Sequence, residues 1–279
     1  MVAPRSTQPV VPVFFLSDST GISAETLGNA LLIQFPHLLF ERKLIPFIST
    51  VAEAREVVGV LDAAMDGPVT PLAFTTAAVD EIRLELQKSR CPIIDFFDMH
   101  MSRVESILGS PGMRLPARLH GVGDIQRYNM RMQAVEYAIE HDDGQSMRAL
   151  AKADVILVAP SRCGKTPTTM YLALQHGVFV ANYPLVDEDL VRSELPRPIR
   201  DLRDRCFGMV STPARLRQVR QERRPHSKYA SLEQCTYELR RAEALFAAHR
   251  IPVINSSAKS VEEMSTVILQ KMSTRPRSL

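Results

Sequence analysis

The sequence contains no tryptophan, and aromatic residues make up only 6% of its 279 residues. Without interleaved aromatic side chains, it offers no predicted platform on which bases could stack. No run of about 18 apolar residues occurs, so no transmembrane helix is expected. The first residues lack the apolar segment of a signal peptide, so none is predicted. These absences predict a protein with neither a nucleic-acid partner nor a membrane partner.

Cysteine and net charge are also limited. The four cysteines are scattered and form no CxxC pair, which argues against a zinc knuckle or a thioredoxin-like motif and favours reduced thiols in the cytoplasm. The sequence has 34 Lys and Arg residues against 31 Asp and Glu residues, which gives a formal net charge of +3. This balance excludes a general polyanion binder. We therefore expect a cytoplasmic protein.

Apolar residues (45%) and charged residues (23%) occur at the usual frequencies of a globular chain. Short apolar segments alternate with helical patterns, which is typical of βαβ units and a parallel sheet. Strands are predicted at 10–16, 39–47, 69–75, 92–97, 153–159, 178–183, 206–211 and 252–255. Helices are predicted at 23–34, 51–65, 79–89, 125–140, 165–176, 213–222, 231–249 and 260–271. The predicted fold class is α/β.

Glycine and proline concentrate in residues 109–123, which indicates a loop or linker. We place a domain boundary between residues 109 and 147. The predicted domains are an N-terminal α/β domain, 1–120, and a C-terminal P-loop-like domain, 121–279. Each half is expected to have a mostly parallel sheet.

The strongest local motif follows the strand predicted at 153–159 and opens the next helix. It reads Ala159-Pro160-Ser161-Arg162-Cys163-Gly164-Lys165-Thr166. The P-loop template GxxxxGK[ST] fits except at its first position, where Ala159 replaces Gly. Backbone N–H groups of such a loop cradle phosphate oxygens at the helix N-terminus. The alternative is an ordinary βα turn in which Ser161 or Thr166 caps the helix and Lys165 points into solvent.

Within that motif, Lys165 would supply charge to a phosphate, and Arg162 would add a second cation in fork geometry. The Thr166 hydroxyl is a candidate ligand of Mg²⁺. A second strand-to-helix turn, Ser17 to Gly21, is a candidate second anion site through Asp18, Ser19, Thr20 and Gly21. Helix capping and a tight turn explain the same residues equally well.

An acidic pair, Asp142 and Asp143, follows His141 at the end of a predicted helix. Carboxylates at a helix C-terminus oppose its dipole, and a locally unfavourable choice hints at function. Either could act as a general base or bind Mg²⁺, and a solvated Asp-Asp-Gly turn is the alternative. Residues 192–224 hold ten Arg against four acidic residues, a local charge of +6. This stretch is either a phosphate- and protein-docking surface or a solvated helix face.

Taken together, these segments resemble the phosphoenolpyruvate synthase regulatory proteins, relatives of the pyruvate, phosphate dikinase regulatory proteins. The resemblance spans about 13–269. Its most specific parts are Ser161-Arg162-Cys163-Gly164-Lys165-Thr166-Pro167-Thr168 and Ala181-Asn182-Tyr183-Pro184-Leu185. Further support comes from Ser17-Asp18-Ser19-Thr20-Gly21 and from Glu140-His141-Asp142-Asp143-Gly144. Tyr229-Ala230-Ser231 is more similar to the synthase-directed branch.

The resemblance implies a bifunctional serine/threonine kinase and phosphorylase. Such proteins use ADP to phosphorylate a threonine of phosphoenolpyruvate synthase, and inorganic phosphate to remove the group as pyrophosphate. It implies nucleotide binding at residues 159–166. Our hypothesis for the roles is that Lys165 neutralises the transferring group, Ser161 orients the phosphate, and Asp142 or Asp143 takes the threonine proton. Mg²⁺ at Thr166 and a homodimer are further expectations. Because the family usually has Gly at 159, we expect Ala159 to be tolerated only if its φ is negative.

The sequence leaves three alternatives open. The target could be pyruvate, phosphate dikinase instead of the synthase. The chain could be an ATP-dependent P-loop kinase of a small metabolite. It could also be a non-enzymatic ADP-sensing module that inhibits its partner by docking.

Overall fold

The computed structural model describes residues 9–115 and 125–273. The chain divides into two compact units, Met1–Gly121 and Val122–Leu279. The boundary predicted between residues 120 and 121 lies outside the described residues. Across the described ranges, no helix is both long and apolar enough to cross a bilayer.

The first unit is a four-stranded parallel sheet with helices between its strands. Its elements are β1 (Val10–Leu16), α1 (Ile22–Leu32), β2 (Leu39–Ile45), α2 (Val51–Met65), β3 (Leu72–Thr75), α3 (Asp80–Leu86), β4 (Ile93–Asp95) and α4 (Asp98–Leu108). The strand order is β2-β1-β3-β4. The chain first passes from β1 to β2 on one side, and then crosses to β3 on the other side of β1. Open α/β sheets bind ligands at the carboxyl ends of their strands, at the point where the strand order reverses in this way.

Small residues bring α1 close to this sheet. Its buried positions are Ala24, Gly28 and Leu32. A Cβ on Gly28 would lie 2.4 Å from a ring carbon of Phe15 and 2.9 Å from one of Phe74. Apart from buried Leu32, the larger apolar side chains of α1 are exposed, namely Ile22, Leu27 and Leu31.

Several predicted bounds in the first unit are wrong for local reasons. The strand predicted at 69–75 begins at Leu72, directly after Pro71, which has no N–H for a sheet ladder. The strand predicted at 39–47 ends at Ile45, before Pro46. Helix α4 was not predicted because none of its side chains is buried, so its sequence has no core-facing apolar stripe.

The second unit is again a four-stranded parallel sheet, in the order β6-β5-β7-β8. Its elements are α5 (Ile125–Glu140), β5 (Val155–Ala159), α6 (Lys165–His176), β6 (Val180–Pro184), α7 (Asp187–Val191), α8 (Arg197–Arg200), β7 (Cys206–Val210), α9 (Pro213–Arg223), α10 (Leu232–Ala248), β8 (Val253–Asn255) and α11 (Val261–Ser273). The predicted α/β class with two mostly parallel halves is confirmed, because every strand pair in both sheets is parallel.

Strand β5 is buried along its whole length at the centre of this second sheet. Helices pack over it, and the core they form includes Leu157, Leu172 and Phe207. The two sheets share one strand order, in which the first strand is internal and the next strand lies at an edge. In both units, five residues separate the first strand from its helix, and the fifth is a glycine with φ of 77° (Gly21) or 90° (Gly164).

Candidate functional site

The loop that follows β5 lies at the carboxyl end of the second sheet, beside the point where the chain crosses from β6 to β7. Gly164, with φ 90°, precedes α6, and no side chain caps that helix. The N–H groups of the first helical turn therefore keep their capacity to bind an anion. Of the loop side chains, Arg162 is exposed and Cys163 is buried. Burial raises the pKa of the Cys163 thiol to about 11, which keeps it neutral.

Ala159 occupies a position that suits alanine. It is the last residue of β5, pairs with Pro184, and has no positive φ. The left-handed conformations of the loop fall instead at Arg162 (φ 73°) and Gly164. We expect alanine to be tolerated at position 159 only if φ is negative there, and the structure meets this condition.

Lys165 is a buried cation at the start of α6, with 4% of its surface exposed. Its Nζ donates to the carbonyl oxygens of Ala159 and Pro160, each at 3.2 Å. An ammonium has three N–H donors, so one remains for a ligand. Burial lowers the pKa of Lys165, against the opposing charges of Asp143 and Asp142. The alternative that placed Lys165 in solvent is wrong.

A polar cluster joins the acidic pair to the start of α6. The Thr166 hydroxyl donates to Asp142 Oδ1 at 2.8 Å. The Asn182 side-chain nitrogen, on β6, donates to the same oxygen at 2.6 Å and to Thr166 Oγ1 at 3.2 Å. The Oδ1 of Asn182 is buried and has no partner in the described part of the chain. The sequence predicted Asp142 and Thr166 separately, and the structure brings them together.

Asp143 differs from its neighbour in both exposure and bonding. It is exposed, has φ 49°, and accepts no hydrogen bond from the residues that the structure describes. Buried His141 anchors the turn that carries both carboxylates. Its ring nitrogens lie 2.8 Å from the Tyr137 carbonyl oxygen and 2.6 Å from the Arg148 carbonyl oxygen. The two neighbouring carboxylates therefore differ, because Asp142 accepts two side-chain hydrogen bonds and Asp143 accepts none from the described residues.

A buried guanidinium, which the sequence did not indicate, supports the loop between β5 and α6 from the protein interior. Arg220, fully buried on α9, donates from Nη2 to the Ser161 carbonyl at 3.0 Å. It also forms a two-pronged ion pair with Glu238 at 3.0 and 2.6 Å. Burial alone would lower the pKa of Arg220, and the Glu238 carboxylate outweighs it, so the net shift is upward.

Tyr229 completes this support. Its ring lies 4.1 Å beneath the Arg220 guanidinium carbon, and its hydroxyl lies 2.9 Å from Ser161 Oγ. Both the carbonyl and the hydroxyl of Ser161 are therefore fixed by groups outside the loop. The Arg-rich composition gave no signal for this role, because only the fold pairs Arg220 with Glu238 on α10.

The other arginines of the basic stretch divide between structural and exposed roles. Arg205 donates to the carbonyls of Ala151 and Ala153, and Arg200 pairs with Glu194. On α9, Arg215, Arg217 and Arg223 are exposed. The stretch is thus partly internal scaffold, and the docking surface predicted there stays a prediction.

The candidate second anion site belongs to the first unit. Asp18 is buried, and its Oδ2 accepts from the backbone N–H groups of Ala78 and Val79 at 2.6 and 3.1 Å. Its Oδ1 has no partner among the described residues. Ser19 N–H donates to Ser17 Oγ, and Thr20 is exposed. An anion bound here would face the Asp18 carboxylate, and the site stays a prediction.

The lowered pKa of Lys165 predicts a pH dependence with two opposite signs. If Lys165 binds phosphate, as the sequence predicts, it must do so as the protonated ammonium, so activity should fall as pH rises through a value below the ordinary 10.5. Folding stability should rise over that same interval, because the unfolded chain binds more protons there than the folded one. Rate profiles and thermal unfolding at matched pH check both. A Lys165→Met variant should lack this stability increment, and an equal increment in the variant would contradict the assignment.

The loop, the buried lysine and the adjacent carboxylates, at the carboxyl end of a parallel sheet, form a site suited to phosphotransfer. The family model described as kinase/pyrophosphorylase matches residues 13–269. The chain therefore belongs to the kinase/pyrophosphorylase family, and the resemblance inferred from the sequence is confirmed.

Relatives of known name are similar over nearly the whole chain. A Legionella pneumophila (strain Corby) protein is 43% identical over 258 residues, covering 92% of this chain and 95% of its own. An Azoarcus sp. (strain BH72) protein is 44% identical over 269 residues, covering 96% and 97%. Both carry the name "Putative phosphoenolpyruvate synthase regulatory protein".

Proposed function

We propose that this protein is a bifunctional serine/threonine kinase and phosphorylase that regulates phosphoenolpyruvate synthase. The observation that carries the proposal is the cluster of Lys165, Thr166 and Asp142 beside an uncapped helix N-terminus. A single site serves both directions, because phosphoryl transfer depends mainly on positioning and charge stabilisation. The names of the relatives support the synthase as target.

In the kinase direction, the β-phosphoryl group of ADP passes to a threonine hydroxyl of the target, and AMP and a proton leave. The loop N–H groups and Lys165 hold the transferring group and stabilise its charge. Arg162 adds a second cation from the exposed side of the loop. Ser161, fixed by Arg220 and Tyr229, orients the phosphate.

In the phosphorylase direction, an oxygen of inorganic phosphate attacks the phosphothreonine phosphorus. The bond between that phosphorus and the threonine oxygen breaks, and pyrophosphate and the free hydroxyl form. The same cations neutralise the transferring group, and the carboxylate that accepted the proton in one direction returns it in the other.

The oxygen donors at this site fit a magnesium ion. Mg²⁺ favours one or two carboxylates plus hydroxyl, water and phosphate oxygens. Asp142 and Thr166 would hold it, and the unpartnered Oδ1 of buried Asn182 marks unused ligand capacity nearby. When bound, the ion would neutralise phosphate charge.

The two carboxylates receive different roles from their contacts. Asp142 Oδ1 already accepts from Thr166 and Asn182, so it is suited to orienting the site. Exposed Asp143 is open to a substrate hydroxyl, and we assign it as the general base.

Asparagine at each position separates these roles. Asp143→Asn should lower the rate of threonine phosphorylation about 10²-fold or more, the usual contribution of a general base, with little change in the Mg²⁺ concentration needed. Asp142→Asn should raise the Mg²⁺ requirement as well as lower the rate. Steady-state rates across a Mg²⁺ titration distinguish them. Wild-type rates in both variants would exclude the acidic pair from catalysis.

One labelling experiment tests the proposal against its alternatives. The protein is incubated with purified phosphoenolpyruvate synthase or with pyruvate, phosphate dikinase, and with ADP labelled at the β-phosphate or ATP labelled at the γ-phosphate. Label from ADP on a threonine of the synthase supports the proposal, and label on the dikinase reassigns the target. Label from ATP on a small metabolite supports a metabolite kinase. Nucleotide binding without transfer supports a sensing module.

A further inference from the structure

Strand β2 is an unusually exposed edge of the first sheet. It lies at the end of the strand order, so its outer side is paired with no strand of the described residues. Strands of parallel sheets are normally covered on both faces. In β2 only Phe40 and Ile45 are partly buried, while Leu39 and Leu44 are 50% and 39% exposed.

The apolar surface continues beyond the strand. The segment between α1 and β2 exposes Ile33, Phe35 and Leu38. Because α1 packs on the sheet through Ala24 and Gly28, Ile22 also lies outside the core. Exposed apolar side chains that are grouped in one region mark interaction surfaces, and an open strand edge is a template for pairing.

The faces of β2 are set by its alternation. Phe40 packs in the cluster that contains Val13 and Phe15, and Arg42 donates to Asn29 of α1 at 2.8 Å. Phe40, Arg42 and Leu44 therefore face the α1 side. Leu39, Glu41, Lys43 and Ile45 face the α2 side.

The charge pattern of β2 is complementary to itself. In an antiparallel pair of two copies around a two-fold axis normal to the sheet, opposed residues must share a face. If the two-fold axis passes at Arg42, Glu41 of each copy lies opposite Lys43 of the other, which gives two pairs of opposite charge. Apolar residues then lie opposite apolar residues on both faces of the sheet. The opposed pairs are Glu41 with Lys43, Phe40 with Leu44, and Leu39 with Ile45.

Neighbouring registers lack this match. An axis at Glu41 opposes two glutamates and sets Leu39 against Lys43, while an axis at Lys43 opposes two lysines. Like charges directly opposite each other destabilise a sheet. The register at Arg42 opposes the two Arg42 side chains, but each is engaged by its own Asn29 and by the Phe40 ring, 5.6 Å from its guanidinium carbon.

We propose that β2 pairs antiparallel with β2 of a second copy of this chain, centred on Arg42, to form a continuous eight-stranded sheet. The apolar side chains around β2 are covered in this homodimer. The self-complementary charges favour a second copy over an unrelated partner.

Charge exchange tests both the dimer and its register. The mass of the full chain is measured by analytical ultracentrifugation at about 1–50 µM. We expect a wild-type dimer, and dissociation constants at least ten-fold higher for Glu41→Lys and for Lys43→Glu. The mixture of the two single variants should regain wild-type affinity as a heterodimer, because every 41–43 pair is then opposite in charge. The Glu41→Lys/Lys43→Glu double variant should regain it as a homodimer.

The controls are Glu222→Lys and Lys152→Glu, exposed charge reversals in the second unit that should leave the dimer unchanged. Circular dichroism verifies that each variant is folded. A wild-type monomer over this concentration range would overturn the proposal. So would a dimer indifferent to both single changes, or a failure of the mixture and the double variant to restore affinity.

Discussion

Replacing Lys165 with methionine is expected to abolish both reactions, with a loss of about 10³-fold in each direction and no loss of stability. Removing one preorganised charge-stabilising group in a water-excluded site costs about 10²–10³ in rate, and more where it offsets phosphoryl charge. Lys165 is buried, donates to two loop carbonyls and lies near the charges of Asp142 and Asp143. Methionine fills the same space without a buried cation.

The measurement is a pair of single-turnover assays, with labelled ADP for phosphorylation and labelled phosphothreonine target for phosphorolysis, together with thermal unfolding. Lys152→Met is the matched control, since Lys152 is exposed and lies in the same unit. Retention of either activity by Lys165→Met would remove this lysine from the proposed mechanism. A large fall in Tm would instead make Lys165 a structural residue.

The second large effect is expected at the Arg220–Glu238 pair. Arg220→Met leaves the Glu238 carboxylate buried without its counter-ion, and breaking a buried ion pair costs about 3–5 kcal/mol. At roughly 2–4 °C per kcal/mol for a domain of this size, Tm should fall by on the order of 10 °C. The Ser161 carbonyl also loses its donor, so activity should fall at temperatures where the variant is still folded.

A double variant separates stability from positioning. Arg220→Met with Glu238→Leu removes both charges, and replacement of a buried pair by apolar residues is often neutral for stability. We expect most of the Tm to return while activity stays low, because the Ser161 carbonyl has then lost the Arg220 donor that positions it. Full activity in the double variant would show that Arg220 only stabilises the fold. Thermal unfolding and the labelling assay at one fixed temperature supply both measurements.

The sequence predicted much of the fold because strong local signals mark it. The helices α2 and α6 have the predicted bounds, since Thr50 and Glu53 form a capping box for one and left-handed Gly164 and Gly177 flank the other. Strand β5 was recognisable as a β-branched apolar run. Helices α7 and α8, of five and four residues, are too short for any periodicity to register.

The site was predictable where it is contiguous and not where it depends on packing. Residues 159–166 lie in one stretch, so the pattern indicated them. Asn182 and Glu238 reach the site only because β6 lies beside β5 and α10 beside α9. Arg220 was one of ten arginines in a charge count, and only its burial against Glu238 distinguishes it from the exposed ones.

The shared strand order of the two sheets has a further consequence. Each unit presents the same backbone device, a five-residue turn after an internal strand with a left-handed glycine before the helix. The residue that follows this glycine is Lys165 in one unit and Ile22 in the other, the first buried and charged, the second exposed and apolar. The backbone of this turn is therefore the same whether a charged or an apolar residue follows the glycine. The side chains of the turn set its charge, with Arg162 and Lys165 in one unit and Asp18 in the other.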